Sequence, residues 1–245
     1  AESAAGRIDA VVAQVARRYG ERSVESVQAA TEAGVALIRD WDRFDLALAH
    51  VERSLALSRA VFGTDHRETA YALQDLAVVR YELQPESFVQ WSEPLAQESI
   101  AVRRKVLGPE HLETAGSERY LASWIYQNWS RQRKRSPRSP MLPRARDLAR
   151  HALGVLESAY GVSHGEVVGT RYLLMQIALA MQEFALAEEM GLQLVYRYEV
   201  PCGQPGGGPN VLALIADALR GQSRDPEAAK FDAAAAACGA GGESP

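Results

Sequence analysis

The chain has 245 residues, 47% of them hydrophobic and 24% charged, with a net charge of −4. A charge this balanced gives no argument for a general nucleic-acid surface, and no apolar run approaches the roughly 20 residues that would span a bilayer. Ala, Leu, Glu, Arg and Gln dominate, and β-branched residues form only short Val clusters, which favours an all-α fold.

Glycines recur along the chain at Gly20, Gly63, Gly108, Gly161 and Gly203. Similar text surrounds three of them: Ala60-Val-Phe-Gly-Thr-Asp-His66, Lys105-Val-Leu-Gly-Pro-Glu-His111 and Ala159-Tyr-Gly-Val-Ser-His164. A period of about 40 to 50 residues signals stacked supersecondary units rather than one closed core. The unit from Thr64 to Gly108 illustrates the plan. Thr64 or Asp65 is positioned to cap a first helix, with Glu68 in its first turn. Leu73, Leu76, Ala77 and Val79 form its apolar stripe. Gln84-Pro85-Glu86-Ser87 breaks it. A second helix is expected from about Ser92-Glu93-Pro94. It carries Leu95, Ala96, Ile100 and Val102 and stops at Leu107-Gly108, where glycine suits a left-handed C-cap. Phe44 and Ala47 stand before Gly63 as Phe184 and Ala187 stand before Gly203; the small residue lets helices approach and the large one fills the gap beside it.

These units resemble the tetratricopeptide repeat family, in the longer-period variety of kinesin light chains. The resemblance is carried best by Ala47 to Ala70 and Ser92 to Ala115. It implies a right-handed superhelical solenoid of about five antiparallel helix pairs over residues 1–245. It also implies a non-enzymatic protein-interaction module whose concave face, lined by the first helix of each pair, holds a protein or peptide segment. The family's ligand-holding Leu-Asn-Asn-Leu-Ala stretch corresponds to Leu73-Gln-Asp-Leu-Ala77, Glu118-Arg-Tyr-Leu-Ala122 and Arg171-Tyr-Leu-Leu174. The groove candidates are therefore Gln74, Asp75, Arg119, Tyr120, Arg171 and Tyr172, with the arginines pairing a partner carboxylate and the tyrosines packing its apolar groups. The alternative is an accessory subunit of a larger assembly, docked through its convex face, its ends or a basic loop.

That loop spans 130–143, a Pro-rich insertion expected to be exposed between the two helices of one unit. Arg131, Arg133, Lys134, Arg135 and Arg138, extended by Arg144 and Arg146, would attract an acidic partner or an anionic surface. The loop has no aromatic residue for base stacking, which argues against sequence-specific nucleic-acid reading. Trp124, Tyr126 and Trp129 precede it at a spacing that suits helix packing. Residues 200–210 read as a flexible Pro/Gly linker before the terminal repeat, and 239–245 as a disordered tail.

His66, His111 and His164 each follow a ladder glycine by three residues. Equivalent positions in successive repeats lie roughly 10 Å apart, too far to share a metal with ligands near 2 Å. They are expected to fix the turns by hydrogen bonding to a helix end. His50 and His151 have no carboxylate or thiol cluster beside them in the sequence, and Glu188-Glu189 reads as a solvated pair. No nucleophile elbow, Cys-x-x-Cys or phosphate loop occurs, so no catalytic group, metal or cofactor is expected. Cys202 and Cys238 bracket the last helical segment; they either clamp it with a disulfide or are two unrelated thiols. The chain begins without Met, so either an export signal has been removed or the chain is part of something larger. The cysteine pair and that start lean toward an exported, periplasmic setting over a cytoplasmic one.

Overall fold

The computed structural model describes residues 4–133, 139–198 and 208–240. Those residues form an all-α structure whose eleven α-helices pack in sequential pairs. Two compact units divide the chain at Ser117 and Glu118, inside one helix, where the sequence predicts a single stack. The first unit holds α1 (Ala4–Tyr19), α2 (Val24–Trp41), α3 (Phe44–Phe62), α4 (Arg67–Leu83), α5 (Phe88–Val106) and the start of α6 (Leu112–Gln132). The second holds the rest of α6, α7 (Leu142–Tyr160), α8 (Gly165–Ala180), α9 (Phe184–Tyr198), α10 (Gly208–Gly221) and α11 (Asp225–Ala240). Counted from α2, the even-numbered helices are the first members of five pairs, and α1 precedes them. Among the described residues no helix is long and apolar enough to cross a membrane.

The repeated Gly-x-x-His text builds the turns. His66, rather than Thr64 or Asp65, is the N-cap of α4: its Nδ1 accepts the backbone N–H of Glu68 at 3.2 Å. His111 accepts from Glu113 at 3.2 Å and His164 from Glu166 at 3.3 Å in the same way. An acceptor there satisfies one of the orphan N–H groups of the first turn. Three residues further on, Thr69 donates to the carbonyl of Gly63 at 2.6 Å and Thr114 to that of Gly108 at 2.9 Å. The imidazoles of His66 and His164 also stack on Phe62 and Tyr160, with centroids 4.5 and 4.2 Å apart. Ser23 and Ser26 play the two polar roles after Gly20. Asp65 is used elsewhere, in an ion pair with Lys105.

Gly20, Gly63, Gly108 and Gly161 have positive φ, but Gly63 and Gly161 do not take the left-handed helical conformation expected of a C-cap. Gly63 sits at φ 88, ψ 178 and Gly161 at φ 77, ψ 164, a region essentially closed to residues with a Cβ. A Cβ at Gly63 would touch nothing within 4 Å, so the requirement lies in the backbone alone. Gly63→Ala is expected to cost about 1–3 kcal/mol. Gly116→Ala, within α6 and equally uncrowded, is expected to stabilise by about 0.4–1 kcal/mol. Urea titration of the two variants side by side checks the contrast.

The first unit's core joins Ala47, Val51 and Leu55 of α3 to Leu73, Leu76 and Val79 of α4, with Leu37 of α2 and Val102 of α5. In the second, Leu121, Ile125, Leu156, Leu174, Ile177, Leu194 and Ile215 are all within 1% of full burial. Ala47 and Ala187 are fully buried, as the close-approach reading requires.

Several boundaries differ from those expected. α5 starts at Phe88, straight from a 3-10 turn over Pro85–Ser87, so Pro94 lies inside it rather than in its first turn. The carbonyl that Pro94 leaves without a donor belongs to Gln90, and both residues are exposed to solvent. The insertion expected over 130–143 is entered by helix on both sides: α6 runs to Gln132, and α7 takes Leu142 and Pro143 as its first residues. α10 begins at Gly208 and accommodates Pro209 in its first turn, inside the linker expected over 200–210. α11 continues to Ala240, past the expected start of the tail.

Candidate functional site

Position along the first helices is set by distance from the capping residue. Eight residues beyond His66, His111 and His164 stand Gln74, Arg119 and Tyr172. One residue earlier stand Leu73, Glu118 and Arg171. The second set is interior: Leu73 and Glu118 are fully buried and Arg171 is 1% exposed. Arg171 is therefore not presented to a partner. Its guanidinium pairs with Glu157 of α7, the second helix of the preceding pair. Reading Arg119 and Arg171 as equivalent places them one register apart, and counting from the histidines reveals the offset. Glu118 is likewise committed inside the second unit, where His151 Nδ1 lies 2.5 Å from its Oε2. Both helix-borne histidines thus meet a carboxylate across the fold that is distant in sequence, since His50 Nε2 lies 3.1 Å from Asp9.

On α4, Arg67, Tyr71, Gln74 and Asp75 share one face, as spacings of three, four and eight residues require. Arg67 pairs with Glu113 at 2.5 Å and donates to the Tyr71 hydroxyl at 3.0 Å. Arg103 of α5 lies over the Tyr71 ring, 4.7 Å from its centroid, and donates to the Glu113 carbonyl at 2.9 Å and to Ser117 Oγ at 2.5 Å. This network ties the first turn of α6 to α4 and α5. Burial lowers the Arg103 guanidinium from its ordinary value and raises the Tyr71 phenol. Gln74 is 8% exposed, and neither atom of its amide has a hydrogen-bond partner. Burial pushes the neighbouring Asp75 carboxyl up to about 6, against the opposing pull of Arg103.

In the second unit, Arg119 lies over the Tyr120 ring at 4.9 Å, and no carboxylate among the described residues pairs with it. Tyr120 is 45% exposed, and Tyr172 is half-buried. A cavity of about 400 Å³ opens where α6, α8 and α10 meet, lined by Tyr126, Trp129, Arg133, Gln176, Phe184 and Asp217. Burial, with Tyr172 nearby, pushes the Tyr126 phenol above its ordinary range. Of the three aromatic residues expected to pack, Trp124 is buried while Tyr126 and Trp129 face this cavity. Their spacing alone does not separate those roles.

Arg131 and Arg133 are exposed at the end of α6; Lys134, Arg135 and Arg138 lie outside the described residues. Arg146 is withdrawn from the basic cluster, because it pairs with Asp147 and Glu183. Glu188 is more than a solvated acid. It accepts from Arg224 at 2.7 Å and from Gln222 at 2.8 Å, bracing the turn before α11. Cys238 lies on α11, but Cys202 is outside the described residues, and with it the choice between a disulfide and two unrelated thiols. No group of three or more His, Cys, Asp or Glu that would hold a metal occurs among the described residues.

The sequential helix pairs and their capped turns define a helical repeat protein. Within it, residues 28–87 and residues 92–113 each match a family model described as tetratricopeptide repeat. Solved structures carry the same fold over nearly the whole chain. A putative kinesin light chain from Podosopora anserina with nearly identical TPR-like repeats is 15% identical, with a TM-score of 0.68, covering 89% of this chain and 97% of the other. BtubC (BKLC) from P. vanneervenii is also 15% identical, with a TM-score of 0.66, covering 100% and 95%. At that identity the likeness is one of fold. No curated protein matches the chain in sequence. Tetratricopeptide repeat domains are in general protein-interaction modules and typically non-enzymatic, and no catalytic domain is found.

Proposed function

We propose that this chain binds an extended segment of a partner protein along the exposed faces of its first helices. The observation that carries the reading is the cavity of about 400 Å³ lined by Tyr126, Trp129, Arg133, Gln176 and Asp217, all on or at the ends of first helices. Aromatic walls with a few polar groups at the mouth suit anchor side chains of a peptide. Beside it in the chain, Arg119 and the exposed Tyr120 offer a cation without a carboxylate and an open aromatic face. Arg171 is not part of this surface.

The test compares partner capture by the intact chain with capture by Arg119→Glu and Tyr120→Ala. Both residues are at least partly exposed, so helicity measured by circular dichroism should be unchanged. The expected result is a defined set of captured proteins that both variants lose. A set retained in full by both, with the chain folded, overturns the assignment. It would favour docking of an accessory subunit through another surface, the exposed Arg131 and Arg133 included.

A further inference from the structure

Resting on that reading, we infer that the Gln74–Asp75 face of α4 is a receptor for a positively charged side chain, a lysine or arginine of the bound segment.

The first ground is an unbalanced inventory of hydrogen bonds. Buried polar groups in folded proteins are almost always paired, and an exception calls for a reason. Gln74 buries both ends of its amide with no partner for either. Beside it, Asp75 is only partly open to solvent, and no hydrogen bond or ion pair to its carboxylate occurs among the described residues. Two adjacent side chains on one helix face thus hold unused acceptors.

The second ground is that the local cations are committed elsewhere. Arg67 serves Glu113 and the Tyr71 hydroxyl. Arg103 serves the Glu113 carbonyl, Ser117 Oγ and the Tyr71 ring. Arg103 is the charged group whose field reaches Asp75, and burial still outweighs it. The carboxylate therefore pays for ionising without a donor in return.

Chemistry then selects the occupant. Ammonium and guanidinium groups are donors only, with three and five N–H bonds respectively. One such group can give several N–H donors to the Asp75 carboxylate, which has none among the described residues of the free chain. Charge-assisted bonds of this kind are the stronger ones. A partner carboxylate would meet like charge at Asp75, and an apolar side chain would leave every acceptor unmet.

The experiment selects a phage-displayed library of random dodecapeptides near neutral pH on the intact chain, and in parallel on Asp75→Asn and Asp75→Lys. The expected outcome is a Lys or Arg enriched at one register on the intact chain, lost on Asp75→Asn and replaced by Asp or Glu on Asp75→Lys. A synthetic copy of a selected peptide should lose at least tenfold in affinity when its cation becomes Gln, and that loss should vanish against Asp75→Asn. Peptides without a cation that bind the intact chain and Asp75→Asn equally, yet are lost on Arg119→Glu, overturn the cation site and leave the first-helix reading standing. Peptides indifferent to every change on both helices overturn the first-helix reading itself. A library that yields no binder counts against both.

Discussion

Arg171→Ala is expected to destabilise the second unit by about 3–5 kcal/mol, and Arg171→Leu by less, the difference being the cavity. Arg171 is 1% exposed and pairs with Glu157 of α7. Truncation to alanine strands the carboxylate and opens a cavity the length of an arginine side chain. Glu157 keeps 30% of its side-chain surface, so water rehydrates part of the stranded charge and the loss falls toward the lower bound. Leucine strands the same carboxylate but fills most of the space, so it spares the part of the loss that comes from the cavity. The chain itself carries leucine at the equivalent position of the first unit, Leu73, at full burial. Arg171→Glu sets two carboxylates against each other in the same place and should prevent the second unit from folding. Fluorescence of Trp124 and Trp129 follows that unit through urea titration. Equal losses for the alanine and leucine variants would show that the ion pair, rather than the filled volume, holds α8 to α7.

The contrast shows what the sequence carries and what it does not. The turns were legible because each depends on residues within about six positions: a glycine for the backbone, a histidine for the cap, a threonine for the carbonyl. Gly63, His66 and Thr69 form a local device, and its repetition at Gly108, His111 and Thr114 revealed the period. Which histidine or threonine nearby does the capping was less clear, because Thr64 and Asp65 also have acceptors of the right kind. The partners of Arg171, Glu118 and Glu188 were not legible. They lie 14, 33 and 36 residues away, and the pairing depends on which face of a helix turns inward. An arginine in an amphipathic helix reads as solvent-facing until the register is fixed. Counting from the capping histidine would have fixed it here. The cavity under Tyr126 and Trp129 was hidden for a related reason: aromatic spacing marks one helix face without saying whether a neighbour fills the space before it.

Asp75→Asn is expected to stabilise the free chain at neutral pH, by up to about 3 kcal/mol, taking a shift from 3.8 to about 6 at about 1.4 kcal/mol per pH unit. The sign follows from the direction of the shift. The folded state holds the Asp75 proton more tightly than the unfolded state does. Stability therefore falls as pH rises from about 3.8 to about 6 and is flat above that, once both states are ionised. Asparagine has no proton to lose and is nearly isosteric, so the difference between variant and parent should be near zero at pH 3.5. It should grow through the window and level off above pH 6.5. Thermal melts of both chains across that range isolate the term, because every other titrating group cancels in the difference. A difference already present at low pH would point to packing rather than charge. The same substitution should weaken capture of a cation-bearing segment, so that one residue raises the stability of the free chain and lowers its affinity. A carboxylate that costs stability in isolation and regains it on binding is the behaviour expected of a site kept ready for a ligand, not of a structural ion pair.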